Sequence, residues 1–444
     1  MLDGNFRGGT DPLGRIRAVF PRCRGSAGRM ELRRLARYDA LILTSLLWFM
    51  AKFVRYLFPP LFDPFQAVYG VSNTATGLAF SALMTVYALM QFPSGVVADR
   101  EGPVRVIAGG AVVAAAGAFA LVVPVPLPDL SLPLGGVEPV PGEFLAIVAG
   151  MLLIGLGTGA HKTVAVRLLA AVHRERTGRA LGVLDTVAAF GGVVAPLAVT
   201  YALPDWRGLF LATGIVVAAL TVLFVRRTPR HLDGSGAVSS PDGGSGVDGS
   251  VVGYLGLMRA PRVALFVGVT VAFAFGYNGV VAFLPSYLAA DAGLGLETGV
   301  ANTIYSGLFV VSLVQLGTGE LTDRVGRLPM LFVTVGTALL GSALLLTVGG
   351  TLAVGAAVVV FGIGAHGFRP VRSAFLMSVL PDEAAGGGLG VVRTVLMTAG
   401  AVAPGVTGFL IDTQGYRVAF GALGGALAVG LALLGVIAVL GDEE

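Results

Sequence analysis

The polar positions of this chain come in clusters, and between them lie apolar runs too long for the core of a water-soluble domain. Leu41–Phe58, Val104–Val123, the run from Phe144 through Leu156 and past Gly159, and Leu331–Val348 are the clearest. About 20 mainly apolar residues, rising 1.5 Å each, cross a bilayer core as a helix, which satisfies its backbone donors internally. On that scale the pattern predicts twelve spans, at 38–60, 73–97, 104–123, 144–171, 178–203, 206–225, 263–289, 297–321, 328–349, 351–380, 386–411 and 416–440. Between the sixth and seventh lies "RRTPRHLDGSGAVSSPDGGSGVDGS", whose Gly, Ser and Asp residues have no capacity to bury a core. The expected fold class is therefore an all-α membrane protein of twelve transmembrane helices. It should comprise an Arg-rich disordered tail over 1–37, a six-helix bundle over 38–227, a linker over 228–260 and a second six-helix bundle over 261–444.

Composition strengthens the membrane reading. The chain is 55% hydrophobic and 13% charged, where soluble domains carry about a quarter charged residues, and its mean hydropathy is +0.83. Its 66 glycines suit membrane helices, whose backbones approach closely over small residues. The basic balance does not point to nucleic acid. Nine arginines lie in the tail and others in "DREGPVR", "HRERTGR", "RRTPRH" and "DRVGR", while the alternate loops carry Asp63, Asp129, Glu138, Glu143, Asp205, Asp291 and Glu297. That asymmetry follows the positive-inside rule and predicts a multi-pass cell-membrane protein with both termini and the linker in the cytoplasm. No cleavable signal peptide is expected, and the tail reads either as a disordered cytoplasmic segment or as an upstream stretch ahead of a start at Met30, in preference to a lipid- or partner-binding arm. The single cysteine, Cys23, excludes an intrachain disulfide.

A repeat divides the spans six and six. "GVVADREG", Gly95 to Gly102, returns 224 positions later as "GELTDRVG", Gly319 to Gly326, with Gln91 meeting Gln315. Further on, "GLGTGAHK" resembles "GIGAHGFR" at an offset of 207, setting Lys162 opposite Arg369. Gly182 and Pro196 meet Gly390 and Pro404 at 208, and "DWRGLF" resembles "GYRVAF". The offset falls by 17 (224 − 207) across one Pro-rich insertion, "VPVPLPDLSLPLGGVEPVPG". The pattern resembles the major facilitator superfamily over nearly the whole chain from Tyr38. The family's loop signature falls here on Gly95, Asp99, Arg100 and Gly102, and again on Gly319, Asp323, Arg324, Gly326 and Arg327. Pro103 departs from it where the second copy has Arg327, although Arg105 follows closely. The resemblance implies two pseudo-symmetric bundles working by alternating access. It also implies that Asp99 sits against the N-terminus of span 11, whose dipole favours a carboxylate, while the cytoplasmic side is closed.

Charges inside the spans carry the chemistry. Only two of the thirty basic residues are lysines, Lys52 and Lys162, and both fall within spans, as do Arg55, Arg369, Arg372, Arg393 and Asp185. A charge at the bilayer centre costs about 2.5–3.5 kcal/mol even on the lenient scale, so these groups must face a cavity or pair. Lys162 and Asp185 lie at equal depth on neighbouring spans, which predicts an ion pair, with proton coupling as its functional alternative. Lys52 and Arg55 share a face of span 1, and Arg372 is expected to snorkel at the cytoplasmic edge. The surplus of Lys52, Arg55, Arg369 and Arg393 predicts binding of a small organic anion, because Arg grips carboxylate or phosphate bidentately. Tyr277 and Asn278 in "FGYNG" add polar groups at a point where span 7 is expected to unwind.

Other signals carry less. Trp48, Phe53, Tyr56 and Phe283 are expected to pack. His161 and His366 are possible proton carriers without a carboxylate in their own spans. "GVLDTVAAFGGVVAP" partly resembles the span-5 signature of proton-coupled drug antiporters, but Ala195 replaces its glycine and span 11 repeats the pattern as "GLGVVRTVLMTAGAVAP". No Walker loop, paired metal ligands or nucleophile motif is present, which predicts no enzyme activity, no cofactor, no metal and no ATP-driven pumping. The expected function is secondary transport of an anionic solute in the lipid bilayer, with a proton or a counter-anion as coupling ion. The alternatives are a drug or cation exporter, and a non-transporting sensor on the same fold.

Overall fold

The computed structural model describes residues 21–130, 139–173, 176–228, 259–379 and 385–441, with side chains from Tyr38 onward and, in span 11, from Leu396. Among the described residues, twelve helical segments are long and apolar enough to cross a membrane. They are span 1, Tyr38–Tyr69; span 2, Asn73–Glu101; span 3, Pro103–Ala120; span 4, Gly142–Val172; span 5, Thr177–Ala202; and span 6, Trp206–Arg227. The second six are span 7, Pro261–Ala289; span 8, Thr298–Val325; span 9, Arg327–Thr347; span 10, Thr351–Val379; span 11, Leu396–Gln414; and span 12, Tyr416–Leu440. Among the described residues there is no strand, only one bridge, Leu130 to Val140, at the base of the Pro-rich insertion.

Local departures have local causes. Span 1 is not one smooth helix. It pauses at a 3-10 turn over Pro59–Leu61, because Pro59 and Pro60 donate no backbone hydrogen bond, and resumes over Phe62–Tyr69. The helix that carries span 1 begins at Pro21, so the end of the tail expected to be disordered is helical; "MELRRLARYDA" is rich in helix formers. Span 4 breaks at Ala160 and span 8 passes through a 3-10 turn at Val311–Val314. The linker, apart from its two ends, lies outside the described residues.

Packing repeats with the sequence. Within the first half span 3 lies on spans 4 and 6, and span 1 on span 5; within the second, span 9 lies on spans 10 and 12, and span 7 on span 11. Spans 2 with 11 and 5 with 8 join the halves. Close approach explains part of the glycine content: a Cβ at Gly157 of span 4 would intrude on the backbone of Gly110 and Ala114 in span 3. With twelve spans, the two ends of the chain and the linker share one side, here the terminal face; the opposite side is the far face.

Among the described residues, hydrogen bonds between the halves gather from the middle of the spans to the far face. Gln91 meets Met397 Sδ at 2.8 Å, Gly405 N donates to Ser81 Oγ at 2.9 Å, and Asn302 donates to Thr200 Oγ1 at 2.9 Å. Phe62 packs on Phe283 at a centroid separation of 5.2 Å. The far face is shut.

Candidate functional site

Trp48, Lys52 and Arg55 follow one another at helical spacing along a single face of span 1. Trp48 is fixed first: its ring is 1% exposed and stacks on His161 of span 4, centroids 5.6 Å apart and planes 4° from parallel. His161 Nε2 lies 3.1 Å from the Thr44 carbonyl oxygen. Lys52 Nζ then sits 5.8 Å from the centre of the Trp48 ring. The Arg55 guanidinium lies 5.4 Å from the same ring and 3.9 Å from Tyr87 of span 2, and its Nε donates to the Ala51 carbonyl at 3.0 Å. Ring faces attract cations, so the pocket holds Arg55, 6% exposed, with no carboxylate paired to it among the described residues.

The second half answers with Arg369 of span 10. One guanidinium nitrogen donates to the Tyr277 hydroxyl at 3.0 Å, and the group lies 5.2 Å from that ring. Tyr277 also interacts through its hydroxyl with Tyr56 of span 1, whose ring rests 4.5 Å from Phe309 of span 8. These aromatics therefore bridge the halves beside the cations. Lys162 donates to Asp185 Oδ1 at 3.0 Å, and Asp185 is within electrostatic range of Lys52 and Arg369 as well. Their side chains remain 27% and 54% exposed, so the pair borders open space. Lys52, Arg55, Lys162 and Arg369 thus face one described carboxylate, four cations against one. A guanidinium has five N–H donors in a planar fork. Arg369 has donors beyond the one that meets Tyr277, and these suit the oxygens of a carboxylate or sulfonate.

Several expected members are placed elsewhere. Span 7 does not unwind at "FGYNG": the helix is continuous from Pro261 to Ala289. Gly276 and Gly279 there serve close packing on Leu423 and Leu427. Asn278 donates to the Ala274 carbonyl at 2.8 Å and abuts Gly400 of span 11, so it belongs to a helix contact within the second half. His366 is buried beside Tyr277 and Phe309. Arg393 lies on the helix Ala385–Gln414, with its side chain outside the described residues. Arg372 is engaged by another group of the protein.

The repeated loops turn where their last glycines sit, Gly102 at φ 89° and Gly326 at φ 99°, values that L side chains rarely adopt. Asp99 pairs with Arg167 of span 4, which also donates to the Gly95 carbonyl at 3.2 Å. No sequence signal singled out Arg167; its pairing follows from span 4 lying beside span 2. Arg100 is exposed, and Arg105 pairs with Glu101 at 3.2 Å. In the second loop Gly319 faces open space, Asp323 and Arg327 are exposed, and Arg324 meets Glu320 at 2.5 Å.

Similar proteins share this architecture. A bacterial homolog of the human lysosomal transporter Spinster, in an inward-facing and occupied conformation, superposes with a TM-score of 0.71 at 13% identity, covering 90% of this chain and 97% of that one. The nucleoside transporter NupG gives 0.71 at 13% identity, covering 90% and 98%. These two likenesses speak for the fold alone. Two curated relatives are nearer in sequence. The "Hexuronate transporter" of Bacillus subtilis (strain 168) is 26% identical over 397 residues, 83% of this chain and 86% of its own length. The "Probable sulfoacetate transporter SauU" of Cupriavidus necator is 26% identical over 435 residues, 90% of this chain and 94% of its own length. The sequence pattern of the Major Facilitator Superfamily matches residues 44–368 and 319–443, which together span most of the chain. The protein is a multi-pass membrane transporter that belongs to the Major Facilitator Superfamily.

Proposed function

We propose that this transporter moves a small organic anion, a carboxylate or sulfonate, by alternating access as a secondary transporter. The observation that carries the reading is the surplus of positive charge where the halves meet: Lys52 and Arg55 on span 1, Lys162 on span 4 and Arg369 on span 10, against Asp185. Cations held in a poorly solvated site call for a counter-ion, and a transported anion supplies one in each cycle. Both curated relatives are named for organic anions, which supports the same class. Arg369 and Tyr277 grip the acid group, Lys52 and Arg55 complete its neutralisation, and Trp48 and Tyr87 set the position of Arg55. Asp185 is the internal counter-ion that the substrate displaces from Lys162. The cation-exporter alternative needs an unpaired acid in the cavity, and Asp185 is committed to Lys162.

Purified protein in proteoliposomes tests this. Uptake of labelled hexuronate, sulfoacetate and other small acids is expected to saturate, and those anions should compete with one another. Neutral and cationic compounds should leave uptake unchanged. Binding of a lipophilic cation with indifference to every anion would replace the proposal with the exporter reading.

The arginine-bearing loops lie on the terminal face, which we place in the cytoplasm. With Cys23→Ser as background, Ser240→Cys and Asp129→Cys should be labelled by an impermeant maleimide from opposite sides of the membrane. Labelling from one side only would contradict this topology.

A further inference from the structure

A carboxylate in the last turn of a helix is badly placed, because the negative end of the helix dipole repels it. Asp412 stands there in span 11, two residues before Gln414, and its resolution is another helix. Asp412 Oδ1 accepts from the backbone N–H of Asn73 at 3.1 Å and from Asn73 Nδ2 at 2.9 Å. Its Oδ2 accepts from the backbone N–H of Thr74 at 2.7 Å and from Thr74 Oγ1 at 2.6 Å. Asn73 and Thr74 open span 2, in the other half of the molecule and more than 330 positions away in sequence. The next donors in that turn are satisfied locally, Ala75 N by Ser72 Oγ at 3.2 Å and Thr76 N by the Ser72 carbonyl at 3.2 Å. Asp412 thus supplies what the helix start lacks, two of the four N–H groups that every α-helix leaves without an internal partner. Small residues bring the helices together: a Cβ at Gly408 would strike the backbone of Asn73, and one at Gly77 the backbone of Pro404.

Span 2 carries the matching feature at its own end. Asp99 also stands two residues before the end of its helix, Glu101, on the terminal face. Here it is held by Arg167 inside its own half. The superfamily resemblance assigns Asp99 to the N-terminus of span 11 when the terminal face is closed. We propose that spans 2 and 11 form a two-ended capping switch, in which Asp412 caps span 2 to hold the far face shut and must let go before Asp99 can cap span 11. On this proposal the cap seen at the far face, Asp412 on the start of span 2, has its counterpart at the opposite end of the same helix pair in the other state. A rocking motion that tightens one end lengthens the other, so the two caps exclude each other. This rests on the alternating-access reading and is independent of what the substrate is.

Distance measurements between spin labels test it in the full chain, on a Cys23→Ser background. Val68→Cys with Leu352→Cys reports the far face, and Val222→Cys with Val325→Cys reports the terminal face; all four residues are exposed. Asp412→Asn puts an amide donor among donors and removes the charge. The ratio of far-face-open to far-face-shut molecules is expected to rise by about tenfold or more, equivalent to ~1.4 kcal/mol. Asp99→Asn should move the same ratio the opposite way, and the double variant should return toward the parent. Gly408→Ala, which wedges the helices without touching the carboxylate, should also open the far face. If Asp412→Asn leaves both distance distributions unchanged while Gly408→Ala shifts them, packing alone holds the face and the switch is refuted. It is equally refuted if Asp99→Asn and Asp412→Asn shift the ratio in one direction. A parent protein that keeps a single distribution under every condition tried would instead remove alternating access itself, and the switch with it.

Discussion

Replacing Arg369 by glutamine is expected to abolish saturable anion binding, with the dissociation constant rising about thirtyfold or more. Removing one partner of a poorly solvated, hydrogen-bonded charge pair costs about 2–5 kcal/mol, and every tenfold in affinity is about 1.4 kcal/mol. Arg369→Lys keeps the charge but loses the planar fork that can meet two oxygens together, so a loss of about tenfold is expected. Tyr277→Phe keeps the ring under the guanidinium and deletes only the hydroxyl that Arg369 meets at 3.0 Å. Its effect should resemble that of the lysine variant, because both loosen the orientation of the group while the positive charge stays. The three variants therefore separate charge from geometry in one measurement, titration of a labelled carboxylate into purified protein. Equal affinities for parent and Arg369→Gln would remove Arg369 from the site, leaving Lys52 and Arg55 as the anion-binding pair.

Hydrophobic periodicity reveals most of this fold because a membrane helix has to be both long and apolar, and loops have to be short and polar. The twelve spans fall within a few residues of expectation for that reason, except where a backbone donor is missing, as at Pro59 and Pro60 in span 1. Repetition discloses the pseudo-symmetry, since Gly102 and Gly326 each need a backbone angle that side chains resist. The depth rule brings Lys162 opposite Asp185 because neighbouring antiparallel spans leave little choice of partner at a given level. What the sequence conceals is azimuth. Asn278 sits next to Tyr277 yet turns toward its own helix and Gly400, one residue being a rotation of about 100°. Glycines flanking it look like a break and turn out to be packing surfaces.

Partners brought together by tertiary geometry are the other concealed class. Arg167 meets Asp99 only because span 4 lies against span 2, and Tyr87 meets the Arg55 guanidinium only once spans 1 and 2 are packed; neither residue stands out in the sequence. Asp412 left one faint trace, an acid at the wrong end of a helix. The charges readable within the spans drew attention to the centre of the molecule. Among the groups that join its halves at the far face are backbone N–H donors, invisible in any list of side chains.

Lys162 and Asp185 should behave as one unit in anion binding. In Asp185→Leu the competing carboxylate is gone, Lys162 is released into the cavity, and the substrate should bind more tightly than in the parent. In Lys162→Met the carboxylate stays and turns to its remaining neighbours, Lys52 and Arg369, so it competes directly with the substrate and affinity should fall by about tenfold or more. The double variant, Lys162→Met with Asp185→Leu, removes both the competitor and its mate. Its dissociation constant should return near the parent value; with Asp185→Leu alone tightening binding by no more than about twofold, the four proteins then give a coupling of about 1 kcal/mol. Stability is a poorer readout, because the two side chains are 27% and 54% exposed and solvent screens such pairs. Strict additivity in the cycle would mean that the contact at 3.0 Å does not govern binding. Lys162 would then act on the substrate directly, with Asp185 left as a carrier for the coupling proton.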